Sequence, residues 1–182
     1  RCHYCGFHQP MYSACPKCDS LSISQQGIGT QKVEEQLQTA FPNAGVLRMD
    51  VDSTSAKGAH HRILEEFKNK NALILLGTQM VTKGLDFDNV TVVGVISADT
   101  SLLLPDFRAG ERTFQLLTQV AGRAGRKNKI GYVIIQTMHP DRSAIRHAQQ
   151  HDFTSFFKEE ISIRHDLLYP PFGRLVLIQI RS

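Results

Sequence analysis

From Leu21 onward, short apolar runs alternate with segments whose apolar residues recur every three or four positions, the mark of strands alternating with amphipathic helices. Val33, Leu37 and Phe41 share one face of a helix that Thr30 can cap and Pro42 ends. Val46-Leu47-Arg48-Met49 reads as a strand, with Asp50, Asp52, Ser53 and Thr54 in the turn after it. A second helix is expected over residues 56–68, with Ile63, Leu64 and Phe67 inward. Leu73 to Leu76 is a continuous apolar run, as expected of a strand buried on both faces, and Val90 to Ile96 and Tyr132 to Gln136 are two more strands. Between them, Phe114, Leu117 and Val120 mark a helix over Glu111 to Val120. Farther on, Phe153, Phe156, Phe157 and Ile161 have the spacing of a packed helix face rather than of stacked bases; Tyr169-Pro170-Pro171-Phe172-Gly173 reads as a rigid turn and Leu175 to Ile180 as a last strand. Strands separated by helices imply right-handed crossovers and a mainly parallel sheet, an α/β fold whose ligands sit beyond the carboxyl ends of the strands.

Composition narrows the class. The 182 residues suffice for one good core with small attachments, and a hydrophobic fraction of 41% is that of a globular chain. A net charge of +4 permits a nucleic-acid partner without requiring one. No apolar run approaches the roughly 20 residues that span a bilayer, and no signal peptide opens the chain, so no membrane partner and a cytoplasmic location are expected. The chain starts at Arg1 rather than Met, and we expect it to be a piece of something larger.

The candidate chemistry centres on Gln119 to Arg126, QVAGRAGR. Arg123 and Arg126 each follow a glycine at the end of a helical segment, which offers two planar cations with small residues between them. Guanidinium groups stay charged and grip phosphate oxygens bidentately, so the pair suits a nucleotide polyphosphate; a basic helix end satisfying its own carbonyls is the competing reading. Upstream, Gly77 to Phe87 reads GTQMVTKGLDF. Thr78, Thr82, Lys83 and the Gly84 backbone can meet phosphates and Asp86 can accept from ribose hydroxyls, against the alternative of a capped helix with solvated charges. Gly27-Ile28-Gly29-Thr30 is not a phosphate loop, and neither GxGxxG nor GxxxxGK[ST] occurs in the chain.

Cys2/Cys5 and Cys15/Cys18 form two CxxC units that use all four cysteines. Each such turn can aim two thiolates at a tetrahedral ion, and in a stretch with little core the ion supplies folding energy, so zinc fits best. Disulfides suit a cytosolic chain poorly, and a redox pair needs a βαβ context. His3 and His8 could each replace a thiolate, and we read both as surface residues.

Together, RCHYCG and CPKC, GIGTQKVEEQLQTAFPNAGVLRMDVDST, LLGTQMVTKGLDFDNV and ADTSLLLPDFRAGERTFQLLTQVAGRAGR resemble the second RecA-like lobe of superfamily 2 helicases, and within them the primosomal replication-restart helicases. The resemblance covers essentially the whole chain and implies three parts: residues 1–26 from a cysteine-rich zinc region, 27–150 the helicase lobe, and 151–182 the start of a C-terminal domain. It implies that Arg126 is the arginine finger on the ATP γ-phosphate, Arg123 a supporting cation, and Gln119, Gly84 and Asp86 neighbours of the nucleotide. Thr78 and Thr82 are implied to lie near the DNA strand or the lobe interface, and Lys83, Gly29 and Thr30 on the DNA strand. The implied activity is ATP-driven 3′-to-5′ DNA unwinding in replication restart and primosome assembly, in a bacterial, nucleoid-associated setting. Single-stranded and forked DNA, primosome proteins and single-stranded DNA-binding protein are the implied partners.

The lobe that holds ATP and magnesium in that family is absent here, so the chain alone is not expected to hydrolyse ATP. The family has four CxxC pairs around two zinc ions, which puts Cys2/Cys5 and Cys15/Cys18 on different ions; by themselves the two pairs either stay metal-free or share one. A non-catalytic zinc nucleic-acid-binding module and another superfamily 2 translocase are the alternatives, and the second gives no account of the cysteines.

Overall fold

A computed structural model describes residues 14–20, 29–82, 87, 89–125, 130–176, 178 and 180, without the side chains of Met80 and Thr82. The chain runs α1 (Thr30–Ala40), β1 (Val46–Met49), α2 (Ala59–Lys68), β2 (Ile74–Gly77), a 3-10 turn (Gln79–Thr82), β3 (Val92–Val95), α3 (Asp99–Leu102), α4 (Ala109–Ala121), β4 (Tyr132–Ile135), α5 (Ser143–Gln149) and α6 (Phe153–Asp166). Helices and strands alternate as the periodicity predicts.

The strands pair in parallel, as the crossovers require, but among the described residues they form two pairs rather than one sheet. In the first, Val46 lies opposite Ile74 and Met49 opposite Gly77. In the second, Val92 lies opposite Tyr132 and Val95 opposite Ile135. This separation corrects the expectation of strands buried on both faces. Along β3 and β4, exposed residues alternate with half-buried ones, and Leu73, expected within β2, is left 66% exposed just before it. In the β3–β4 pair one face is packed and the other is not, so burial falls on alternate residues, whereas β1 and β2 are half-buried or buried along their length.

Each pair has its own core. Met49 and Ile63 pack with Leu47, Leu64, Leu75, Val81 and Phe87, joining β1, β2, α2 and the segment after β2. Phe114, Leu117, Ala144, Ile145 and Phe156 form the other, with Val95 and Ile135 against it. Fully burying side chains of this size stabilises by about 1.5–3 kcal/mol each. Leu117 is 1% exposed because α4 turns Phe114 and Leu117 onto Val95, Ile135 and the α5 residues Ala144 and Ile145.

Several boundaries depart from the pattern. α2 begins at Ala59, not residue 56, because Gly58 takes a left-handed conformation (φ 81°) that starts the helix after it. Thr30 is the first helical residue rather than the cap, since Gly29 occupies the capping position. On α6, Phe156 alone of the expected inward set is buried: it stacks on Phe114 with centroids 4.3 Å apart, whereas Phe153 and Phe157 are 64% and 50% exposed. α4 and α5 cover the face that carries Phe156 and leave Phe153 and Phe157 largely open. Leu175, Val176, Ile178 and Ile180 are exposed and form no strand, as no described strand lies beside them to complete a ladder.

α5 and α6 are joined by a polar latch. The Glu159 carboxylate accepts from Ser143 Oγ (2.6 Å), from Arg146 Nη2 (2.8 Å) and from His147 Nε2 (2.9 Å). The Ser143 and His147 hydrogen bonds pull its pKa from 4.5 down to about 2. A depressed carboxylate pKa contributes stability above the unfolded value and loses it as pH falls toward the folded value. Glu159→Gln should therefore lower Tm at neutral pH, and the gap to wild type should close as pH drops from 4.5 toward about 2. Thermal melts across that range check this, and a gap independent of pH would sink the latch.

Candidate functional site

At the carboxyl end of β2 the chain turns sharply, and Gly77 permits it. A Cβ there would sit 2.4 Å from the Met49 carbonyl oxygen and 2.5 Å from Val81 Cγ1. Thr78 follows, exposed, and the 3-10 turn carrying Thr82 lies against α4. Val81 and Phe87 both pack on the Met49 core, with Phe87 edge-on to Phe67 at 4.9 Å. The segment is thus pinned at both ends. Lys83, Gly84 and Asp86, expected at the DNA and the nucleotide, lie outside the described residues. Gly77→Ala should cost about 1–3 kcal/mol through overpacking against backbone that cannot rotate away. Chemical denaturation measures it; an unchanged midpoint would mean the turn is looser than this.

At the carboxyl end of β1, Asp50 organises the other expected DNA segment. Its side chain accepts from Thr30 Oγ1 and, at 2.8 Å, from Arg48 Nη1, and Arg48 Nε reaches Glu34 at 3.0 Å. The Ser53 amide and the Asp50 carboxylate close a turn at 2.8 Å. Burial raises the Asp50 pKa, but the hydrogen bonds from Thr30 and Ser53 and the Arg48 charge outweigh it and hold the carboxyl below its ordinary range. The Thr30 hydroxyl proton is therefore committed to Asp50, and what the start of α1 offers a phosphate is its first-turn amides. Space beyond the Gly29 Cα is open.

The arginine-bearing turn closes α4. Gln119 is exposed, the helix ends at Ala121, and Arg123 sits half-buried in the turn after it. Arg126 lies outside the described residues. Gly125, at φ 69°, donates its amide to the Val90 carbonyl at 3.1 Å, which ties the turn to the segment leading into β3. Gly131 packs so tightly beneath it that a Cβ would fall 2.3 Å from the Ala124 carbonyl carbon and 2.4 Å from Gly125 N. Residue patterns singled out the arginines but not Gly131, whose one available signal was a glycine directly before a strand, a mark of close backbone approach.

The site residues do not all lie beyond the carboxyl ends of the strands. Thr30 and Thr78 do lie there, beyond β1 and β2. Arg123 lies at the amino ends of β3 and β4, because α4 is the crossover between them and must run back, about 20 Å over its length, before β4 can start parallel to β3.

Of the four expected zinc ligands, Cys2 and Cys5 lie outside the described residues. Cys15 and Cys18 are free thiols in one turn, closed by Asp19 N–H to Cys15 C=O at 2.8 Å. Backbone hydrogen bonds from Lys17 and Cys18 lower the Cys15 pKa, favouring the thiolate a metal needs. The pair therefore fits half of a tetrahedral thiolate site. Among the described residues no cluster of three or more metal-ligating side chains occurs, and no helix is long and apolar enough to cross a membrane.

The chain belongs to the family of the helicase conserved C-terminal domain, matched over residues 21–128, and its parallel-paired strands alternating with helices fit such a lobe. Along nearly its whole length it is similar to replication restart protein PriA. It is 53% identical over 180 residues to that of Bacillus subtilis and 45% identical over 179 residues to that of Synechocystis, covering 99% and 98% of this chain. The PriA of Haemophilus influenzae is 42% identical over 182 residues. The chain spans only about a quarter or less of these relatives, 22%, 22% and 25% of their lengths.

Proposed function

We propose that this chain is the lobe of an ATP-dependent 3′-to-5′ DNA helicase, acting in replication restart and primosome assembly, that closes on a nucleotide held by another lobe. The observation that carries the reading is the seat of the arginine-bearing turn. Gly125 is bonded to Val90, Gly131 is packed beneath the turn, and α4 behind it is anchored by Phe114, Leu117 and Val120. A turn held this rigidly can present cations at a fixed place, as stabilising a transferring phosphoryl group requires.

Arg126 acts as the finger on the γ-phosphate, Arg123 supports it, and Gln119, Gly84 and Asp86 line the nucleotide. Thr78, Thr82, Lys83 and the Gly29-Thr30 segment follow single-stranded or forked DNA. Because the turn ends α4 and the 3-10 turn carrying Thr82 lies against α4, hydrolysis and grip on the strand are coupled through these two elements. Zinc would be held by the thiolates of Cys2, Cys5, Cys15 and Cys18, and would supply folding energy to the cysteine-rich stretch. ATP and magnesium are bound by the partner lobe, so the chain alone does not turn over ATP. In the whole protein, primosome proteins and single-stranded DNA-binding protein are its partners. The test is DNA-stimulated ATP hydrolysis by a helicase carrying this lobe: Arg126→Ala removes it, and an unchanged rate overturns the reading.

A further inference from the structure

α4 carries the arginine-bearing turn at one end, and its other end is held by a helix to which the proposed function gives no role. α5 and α6 lie beyond residue 128, the last residue matched to the helicase family. From α6, Arg164 reaches the first turn of α4, where its Nη2 donates to Glu111 Oε2 at 2.8 Å. Its Nε donates to Glu160 Oε1 at 3.0 Å, so one guanidinium stands between two carboxylates. Glu160 itself lies beside the same turn: a Cβ on Gly110 would be 3.4 Å from its Oε2. The Arg164 side chain is 13% exposed, whereas those of Arg108, Arg112 and Arg146, also paired with acids, are 49%, 48% and 50% exposed. Exposed pairs contribute little, but an enclosed one is costly to break from one side. The guanidinium also lies over the Phe107 ring, 5.2 Å from its centroid, and Tyr169 packs on that ring at 5.7 Å.

Removing this guanidinium would do more than delete a contact. Glu111 and Glu160 would be left side by side without a counter-charge, and their repulsion would push the head of α4 away from α6. α4 is clamped near its middle by Leu117, with Glu111 six residues before it and Arg123 six after. Each arm is about 9 Å long, so a stiff helix tilting about Leu117 moves its two ends by comparable amounts in opposite directions. Val90 and Gly131 fix the seat of the turn; the direction in which α4 enters it is set from the opposite end.

We propose that Arg164 is a positioning residue for ATP hydrolysis: by holding Glu111 and Glu160 together, it sets the direction in which α4 delivers the arginine-bearing turn. The inference rests on reading Arg123 and Arg126 as the cations that act on the nucleotide. A displacement of α6 therefore changes turnover without touching the nucleotide.

The test is steady-state, DNA-stimulated ATP hydrolysis by a helicase carrying this lobe, well below the melting temperature of each variant. Arg164→Met should lower kcat about tenfold, since small misplacements of a reacting group are costly, while KM for ATP changes less than about twofold. Adding Glu111→Gln removes the repulsion and should bring kcat back to within about threefold of wild type, a non-additive rescue. If Arg164→Met does not fold, Glu111→Gln alone leaves Arg164 paired with Glu160, and it should lower kcat about threefold. Glu159→Gln, which loosens α6 from α5 rather than from α4, should lower Tm and keep the wild-type kcat. Wild-type kcat in Arg164→Met, a change confined to KM, a further loss in the double variant, or an equal loss in Glu159→Gln overturns the proposal. The function stands in each of these cases if Arg126→Ala still removes turnover; turnover that survives Arg126→Ala overturns both.

Discussion

Replacing Arg126 with alanine, in a helicase that supplies the nucleotide-holding lobe, should lower kcat for DNA-stimulated ATP hydrolysis by about 10³ to 10⁵ while leaving DNA affinity largely unchanged. The size follows from where the charge acts. In phosphoryl transfer the negative charge shifts toward the leaving oxygens, and a guanidinium held in a water-poor cleft stabilises that state more than the bound substrate. The loss should therefore fall on kcat more than on KM. Arg126→Lys should not restore the rate, because an ammonium is a point charge without the planar fork. Steady-state kinetics with saturating DNA measures this. A decrease of less than about tenfold, equivalent to roughly 1.4 kcal/mol, would show that Arg126 does not act on the transition state.

Gly131→Ala should disturb both stability and turnover, although residue 131 contacts no ligand in the proposed arrangement. An added Cβ would stand 2.3 Å from the Ala124 carbonyl carbon, 2.4 Å from Gly125 N and 2.6 Å from the Ala124 carbonyl oxygen. All three are backbone atoms of the turn that carries Arg123 toward Arg126, so relief requires moving that turn or the start of β4. We expect a loss of about 1–3 kcal/mol, and a Tm decrease of about 2–4 °C for each kcal/mol lost. ATP hydrolysis by the surviving folded protein should fall as well, whereas a substitution that only loosened the core would leave it intact. Normal melting together with normal turnover would show that the backbone crossing at residue 131 is not as close as it stands here.

Much of the fold is legible in the chain because its determinants are local. The Phe114, Leu117 and Val120 stripe marks α4 within two residues at its start and one at its end, since a helix buries one face at a fixed period. The four described strands lie where apolar runs are bounded by glycine or polar turns: β1 as expected, β2 shifted by one residue, and β3 and β4 trimmed at their ends. The exposed phenylalanines of α6 were misjudged because periodicity shows which residues share a face, not how much of that face another element covers. Leu175 to Ile180 has the composition of a strand, but a strand exists only when a neighbour completes its ladder.

Unaided, the sequence determined the alternation of helices and strands, the parallel sense of their pairing, and the family, because these depend on spacing along the chain and on long runs of matched residues. The tertiary structure decided that the Thr30 hydroxyl is bound to Asp50, twenty positions away. It also decided that Gly131 seats the arginine-bearing turn, and that this turn lies at the amino ends of β3 and β4 while the threonines lie beyond the carboxyl ends of β1 and β2. Those are contacts between residues distant in sequence, set by how crossovers return and how closely backbones approach, and no local pattern encodes them.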